Sequence, residues 1–318
     1  MTSAAVRYEP TVESIRTHAV PDWYHDAKLG IFVHWGLYSV PGWAASRKEP
    51  FDLIAEGGFD KYFRENCYAE WYLNTLKFED GPTRAYHERT FGKDFAYEDF
   101  QPLFERESAQ WVADDWARLF HDAGAGYVVL TAKHTDGYLL WPSTVGNLVR
   151  PGYQSRRDLV GELMSAVRAQ GLRGGLYYTG GMDWLLNPER LDEPFKIYST
   201  ILEGERFAAY ADAHWRELIA RYAPSVLWGD IMYVRGANVP ALFADYYNRV
   251  PDGVVNDRFA TEFAAPKRPG MQPPGVHYDF LTPEYTSFPD IEQEKWETCR
   301  GIASSFGYNR DDDATSYL

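Results

Sequence analysis

The sequence is poor in cysteine, with only Cys67 and Cys299 among its 318 residues. Two cysteines cannot supply a disulfide framework, and neither lies in a pattern typical of zinc sites. No apolar run is long enough to cross a bilayer, and the first twenty residues lack the apolar segment of a secretory signal peptide. From these absences we expect a cytoplasmic protein.

Positive charge is also scarce. Lys and Arg number 32 against 46 Asp and Glu, which gives a formal net charge of −14. Nucleic acids and anionic membranes bind through basic patches, so we expect neither as a partner.

Several sequence motifs of enzyme active sites are missing. We find no Gly-x-Ser-x-Gly elbow, no P-loop and no His-Glu-x-x-His zinc motif. The pair Gly124 and Gly126 precedes a strand instead of opening a helix, and Val129 occupies the place of the third glycine in a dinucleotide-binding loop. The sequence therefore excludes these serine-hydrolase, nucleotide-binding and zinc-protease signatures.

Aromatic residues, in contrast, are abundant. They make up 16% of the chain, with 11 Trp, 23 Tyr and 18 Phe. Flat rings stack on the apolar faces of sugars, so a carbohydrate site is one explanation and a ring-rich core is the other. Composition leaves both open.

Predicted helices and strands alternate along the chain. Buried strands are expected at 29–36, 127–132, 172–179, 224–230 and 253–259, and most end in His, Asp, Arg or Tyr. In α/β barrels the carboxyl ends of the strands face the active site. The pattern predicts an α/β fold of the distorted (β/α)8-like TIM-barrel type.

We expect one catalytic barrel domain over residues 1–318. Residues 37–99 are rich in Gly, Pro and aromatics and are predicted to form a long irregular active-site loop region.

Two carboxylates are candidates for the chemistry. Asp230 ends a predicted strand, and Glu284 lies among aromatic residues further along the chain. Paired carboxylates suit glycoside hydrolysis, and Arg258 could keep one of them ionised. Taken singly, each carboxylate is as well explained as a helix cap or a salt-bridge residue.

Beyond these features, the chain resembles the retaining α-L-fucosidases of glycoside hydrolase family 29. The resemblance is collinear over roughly residues 20 to 310. It rests on these stretches: Lys28-Leu29-Gly30-Ile31-Phe32-Val33-His34-Trp35-Gly36, Glu70-Trp71-Tyr72, Ala132-Lys133-His134, Gly175-Leu176-Tyr177-Tyr178, Leu227-Trp228-Gly229-Asp230, Thr282-Pro283-Glu284-Tyr285 and Trp296-Glu297-Thr298.

The resemblance implies a retaining exo-glycosidase that hydrolyses terminal α-L-fucosides by double displacement. It implies Asp230 as nucleophile and Glu284 as general acid/base, with Glu262 and Glu292 as runners-up for the acid/base. The implied substrate-binding residues are His34, Glu70, Trp71, His134, Tyr178, Trp228 and Arg258. It implies no metal and no cofactor, and a fucosylated oligosaccharide or glycoconjugate as substrate. The oligomeric state is left open, with a homo-oligomer among the possibilities.

Three departures from the family pattern leave alternatives open. Thr135 stands where the family usually has a second histidine, and Phe306 replaces a tryptophan. The family also continues with a last barrel strand and a C-terminal β-sandwich, which we do not find before Leu318. The alternatives are a glycosidase for a related 6-deoxy or L-galacto-configured sugar, or an inactive or sugar-binding fragment.

Overall fold

A computed structural model describes residues 7–265 and 271–313 of the chain. Parts of the predicted domain, residues 1–6, 266–270 and 314–318, lie outside the described residues. Within the described part, no helix combines the length and the apolar content needed to cross a bilayer.

The strands form one parallel sheet in the order β1-β2-β3-β4-β5. Their bounds are β1 Gly30–Val33, β2 Tyr127–Lys133, β3 Arg173–Thr179, β4 Val226–Asp230 and β5 Val254–Val255. Every pairing between neighbours is parallel. The predicted α/β fold with a parallel sheet is therefore confirmed.

The helices lie mainly between the strands. Their bounds are α1 Val12–Ile15, α2 Asp22–Asp26, α3 Pro50–Arg64, α4 Tyr72–Thr75, α5 Pro82–Phe91, α6 Phe100–Ser108, α7 Ala113–Asp122, α8 Leu159–Ala169, α9 Pro194–Ser199, α10 Glu205–Tyr222 and α11 Val239–Arg249. Helices α7, α8, α10 and α11 lie in the connections between successive strands, as crossovers between parallel strands require.

Strand β5 is much shorter than the predicted strand at 253–259. After Val255, the Asn256 side chain both accepts a hydrogen bond from Gly229 N and donates one to Gly229 O, each at 2.9 Å. Here the side-chain amide of Asn256, instead of the backbone, forms the hydrogen bonds to Gly229 of β4. Single parallel bridges then continue from Asn256 to Phe280 and, further on, from His34 to Gly307.

The prediction of an irregular region at 37–99 is wrong in part, because the structure places helices α3, α4 and α5 there. Each of the two longer helices begins with a proline at its first turn, Pro50 and Pro82. Helix α3 is also interrupted at Gly57 and Gly58, which have non-helical backbone angles. Short helices broken by Pro and Gly do not show the sustained 3.6-residue pattern on which a helix prediction depends.

A buried ion pair lies at the end of β2. Lys133 Nζ is 3.1 Å from Asp183 Oδ2, both side chains are 1% exposed, and Nζ donates a hydrogen bond to Thr179 O at 2.9 Å. Removing one member of a buried pair leaves an uncompensated charge. This pair therefore ties the end of β2 to the loop after β3.

We expect Asp183→Asn to lower the free energy of unfolding by about 3 kcal/mol, because Lys133 would remain buried without its counter-charge. The measurement is chemical denaturation followed by circular dichroism. Asp212→Asn is the control, since it removes a counter-charge from Arg216 in a pair that is 34–38% exposed and should cost at most about 1 kcal/mol. Equal losses in the two variants would contradict the importance of the buried pair.

Candidate active site

A cavity of about 1020 Å³ lies along β1 and reaches the carboxyl ends of the strands. Of the sequence-predicted site residues, seven line it: His34, Glu70, Trp71, His134, Trp228, Asp230 and Glu284. They come from the ends of β1, β2 and β4 and from segments far apart in the chain. The fold thus brings together most of the residues that the sequence selected.

Arg258 lies between the two candidate carboxylates. Its Nη1 donates to Asp230 Oδ1 at 2.7 Å and to Glu284 Oε1 at 3.1 Å. Its Nε and Nη2 donate to Thr282 Oγ1 and Thr282 O, at 2.7 and 2.8 Å. With a side chain only 1% exposed, the guanidinium holds both carboxylates at a fixed place.

The two carboxyl groups have opposite pKa shifts. Burial alone would raise the pKa of Asp230, but the Arg258 charge and hydrogen bonds from Arg258 and Tyr177 bring it below its usual value. Burial raises the pKa of Glu284, and the nearby Asp230 charge adds to this increase against the opposing effect of Arg258. The pair therefore favours an ionised Asp230 beside a Glu284 that retains its proton to higher pH.

The predicted role of Tyr178 in the sugar pocket is wrong. Its hydroxyl pairs with His214 Nδ1 at 2.9 Å on helix α10, away from the cavity. The neighbouring Tyr177 lines the cavity instead and donates to Asp230 Oδ2 at 2.8 Å. Successive side chains of a strand point to opposite faces, so an error of one residue reverses the assignment.

His134 is a neutral donor to the cavity. Burial lowers its pKa to about 4, and the charge of His34 contributes. Its Nδ1 accepts from the backbone N of Thr135 at 2.8 Å, so in the neutral ring the proton is on Nε2. Thr135 is fully buried, pairs with the same Nδ1 through Oγ1 at 2.9 Å and is not among the cavity-lining residues.

Glu70 and His34 form another part of the cavity wall. Its Oε1 is 3.3 Å from His34 Nδ1, without the alignment of a hydrogen bond, and its Oε2 accepts from Gly307 N at 3.0 Å. Burial would raise the pKa of Glu70, but the facing His34 lowers it below its usual value. This wall offers an ionised acceptor to a polar ligand.

The side chains of His34, Glu70 and His134 are also of the types that bind metals. One ligand atom from each lies within 4.8 Å of the others. The expectation that no metal is needed stays a prediction.

Gln272 is a site residue that sequence reasoning missed. Its Nε2 donates to Asp230 Oδ1 at 2.9 Å, and it lines the cavity. It lies in a Pro- and Gly-rich stretch with no recognisable motif, so no sequence signal marked it. The runner-up Glu262 is exposed and lines a separate surface cavity beside Arg235, and Glu292 lines neither cavity.

The family model described as "Alpha-L-fucosidase" matches residues 1–318. The chain is 33% identical over 327 aligned positions to an alpha-L-fucosidase of Dictyostelium discoideum. The alignment covers 98% of this chain and 62% of that protein. It is 32% identical over 318 aligned positions to the tissue alpha-L-fucosidase of Bos taurus. That alignment covers 96% of this chain and 58% of the bovine protein. The chain thus spans about three fifths of the length of these relatives.

Solved structures give the same result. The crystal structure of Thermotoga maritima alpha-fucosidase in complex with fucose is 40% identical, with a TM-score of 0.82 over 98% of this chain and 66% of that one. The same enzyme in complex with a mechanism-based inhibitor is 41% identical, with a TM-score of 0.83 and the same coverage.

The opposite orientations of two adjacent tyrosines can be tested directly. We expect Tyr177→Phe to raise the pKa of Asp230, because the variant removes a hydroxyl that donates to the ionised carboxylate. Tyr178→Phe is the matched control and should leave this pKa unchanged. The measurement is a ¹³C NMR titration of carboxyl-labelled aspartates, with the Asp230 signal identified by its loss in Asp230→Asn. An equal shift in both variants would contradict the assignment.

Proposed function

This chain belongs to the alpha-L-fucosidase family, and we propose that it hydrolyses terminal α-L-fucosides by double displacement. In this proposal Asp230 is the nucleophile and Glu284 is the general acid/base. The observation that carries it is the single Arg258 nitrogen that binds both carboxylates.

Carboxylate spacing supports the retaining mechanism. Because both oxygens bind the same nitrogen, at 2.7 and 3.1 Å, they lie less than about 6 Å apart, below the ~6.5–9.5 Å typical of inverting enzymes. That spacing suits direct attack on the sugar better than activation of a water by an inverting base.

The proposed reaction has two steps. An Asp230 oxygen forms a bond to the anomeric carbon while the glycosidic C–O bond breaks, and Glu284 gives its proton to the departing oxygen. In the second step the Glu284 carboxylate takes a proton from water, whose oxygen attacks the anomeric carbon and releases fucose and the Asp230 carboxylate. The lowered pKa of Asp230 and the raised pKa of Glu284 match these roles.

The other cavity residues would bind the sugar. Glu70 accepts and neutral His134 donates hydrogen bonds to hydroxyl groups, and His34 lies between them, with its ring centroid 5.7 Å from that of His134. Trp71 and Trp228 supply flat apolar surfaces for the ring and its methyl group. A fucosylated glycan is therefore the proposed substrate.

We also interpret the sheet as part of a distorted (β/α)8-like barrel. The bridges Asn256–Phe280, Leu281–Trp296 and His34–Gly307 extend it beyond β5 and return to β1. This arrangement supports a site enclosed by strand ends.

We expect Asp230→Asn to lower kcat/KM for 4-nitrophenyl α-L-fucoside by about a thousandfold or more, because the nucleophile is lost. Azide, which can attack the anomeric carbon in place of the carboxylate, should partly restore release of nitrophenol. Glu262→Gln, an exposed carboxylate outside the cavity, is the control and should remain within about twofold of the unmodified chain. No turnover by the unmodified chain, or full turnover by Asp230→Asn, would contradict the proposal.

A second prediction concerns pH. Turnover requires ionised Asp230 and protonated Glu284, so kcat/KM should fall as pH decreases through the first pKa and as pH increases through the second. With an aryl fucoside whose leaving group needs no proton, Glu284→Gln should keep measurable turnover and the fall at low pH. It should lack the fall at high pH that the unmodified chain shows with a substrate whose leaving group needs the proton.

Asp257 provides the control for this profile. Burial also raises the pKa of Asp257, and its Oδ1 accepts from Thr282 Oγ1 at 2.6 Å. Asp257→Asn should retain the fall at high pH. Loss of that fall in Asp257→Asn, with its retention in Glu284→Gln, would contradict the assignment of the acid.

A further inference from the structure

The carboxyl group of Glu297 accepts hydrogen bonds from three aromatic side chains. Its Oε2 accepts from the hydroxyls of Tyr24 and Tyr127, at 2.9 and 2.5 Å. Its Oε1 accepts from the indole Nε1 of Trp228 at 2.7 Å. The carboxyl group is therefore fixed in place by three aromatic side chains from separate parts of the chain.

Trp228 in turn contacts both side chains that donate to the nucleophile. Its ring stacks on Tyr177, with centroids 5.5 Å apart and planes inclined by 23°. The Arg258 guanidinium carbon lies 4.6 Å from the centroid of the Trp228 ring. Since Tyr177 donates to Asp230 Oδ2 and Arg258 to Asp230 Oδ1, the orientation of one indole affects both contacts.

We propose that Glu297 is a positioning residue that orients Asp230 by holding the Trp228 indole against Tyr177 and Arg258. The inference rests on the proposed function, because orientation matters only if Asp230 is the nucleophile. Glu297 touches neither Asp230 nor Glu284 through any hydrogen bond described for those two carboxyl groups. Glu297 also lines the cavity, but its contact with the groups around Asp230 is the one to Trp228. Its proposed effect on Asp230 therefore passes through Trp228.

A carboxylate suits this position for a chemical reason. It accepts at both oxygens and can bind three donors at once, whereas the amide of glutamine accepts at one oxygen only. Hydrogen bonds to an ionised acceptor are also stronger than those between neutral groups. Substitution by glutamine keeps the volume and removes part of this network.

The direction of the pKa change at Asp230 separates positioning from simple electrostatics. Removing the negative charge of Glu297 would by itself lower the pKa of Asp230. Displacing the Arg258 and Tyr177 donors would raise it, because both favour the ionised form. We expect Glu297→Gln to raise the pKa of Asp230 in the ¹³C titration, and a decrease or no change would overturn the proposal.

A double-mutant cycle tests the route through Trp228. Trp228→Phe keeps an aromatic ring but removes the indole N–H that Glu297 accepts. If Glu297 acts through this contact, the pKa changes of the two single variants and of the double variant will not be additive. Additive changes would overturn the proposed route.

Glu217→Gln is the matched control. Glu217 Oε2 also accepts from an indole, Trp141 Nε1 at 3.0 Å, and this residue does not line the cavity. The control should lose stability without changing the pKa of Asp230. Equal behaviour of Glu217→Gln and Glu297→Gln would reduce Glu297 to a structural role and overturn the proposal.

Kinetics supply a separate readout. We expect Glu297→Gln to lower kcat/KM for the aryl fucoside by about tenfold to a hundredfold, as for a displaced reacting group. The fall of kcat/KM at low pH should also shift to higher pH. Azide should not restore the loss, since rescue would make Glu297 a catalytic residue and overturn the positioning role. If the unmodified chain does not cleave fucosides, the proposed function fails, and the titration of Asp230 still decides whether Glu297 orients it.

Discussion

The buried guanidinium of Arg258 is the constraint on which the rest of the site depends. Its side chain is 1% exposed, and its donors are divided among Asp230, Glu284 and Thr282. A buried cation without partners would cost several kcal/mol, and so would the buried Asp230 carboxylate without a cation. Arg258, Asp230 and Glu284 therefore stabilise one another in an arrangement close to the one observed. Because Arg258 faces both acids with one nitrogen, it also sets the distance between them.

This arrangement gives two similar carboxyl groups different chemistry. Asp230 receives hydrogen bonds from Arg258, Tyr177 and Gln272, all of which favour its ionised form. Glu284 shares the same cation through a longer contact, and its pKa is raised by burial and by the neighbouring charge. The roles proposed for the two groups, nucleophile and acid, would thus follow from the different surroundings of two similar carboxyl groups.

The fold supplies these donors from two directions. Parallel strands place Tyr177 and Asp230 near each other at the ends of β3 and β4, while Arg258 comes from the segment that follows β5. The Trp228 ring contacts both Tyr177 and Arg258, and its indole N–H donates a hydrogen bond to Glu297. Aromatic residues occur both in the cavity and in the core: Trp228 belongs to the cavity wall and Trp215 to the buried core.

The sequence by itself determined the α/β class, the approximate places of the strands, and Asp230, Glu284 and Arg258 as the central charged groups. These follow from local patterns: apolar runs, the polar residues that end them, and motifs shared with a family. It did not determine which of Tyr177 and Tyr178 faces the cavity, because a one-residue uncertainty in a strand reverses the face. Nor did it reveal the helices within 37–99 or the contacts of Gln272 and Glu297. Those contacts join residues up to 273 positions apart, as in the bond between Tyr24 and Glu297. Only the tertiary structure decides them, since a hydrogen bond between distant residues depends on how the whole chain packs.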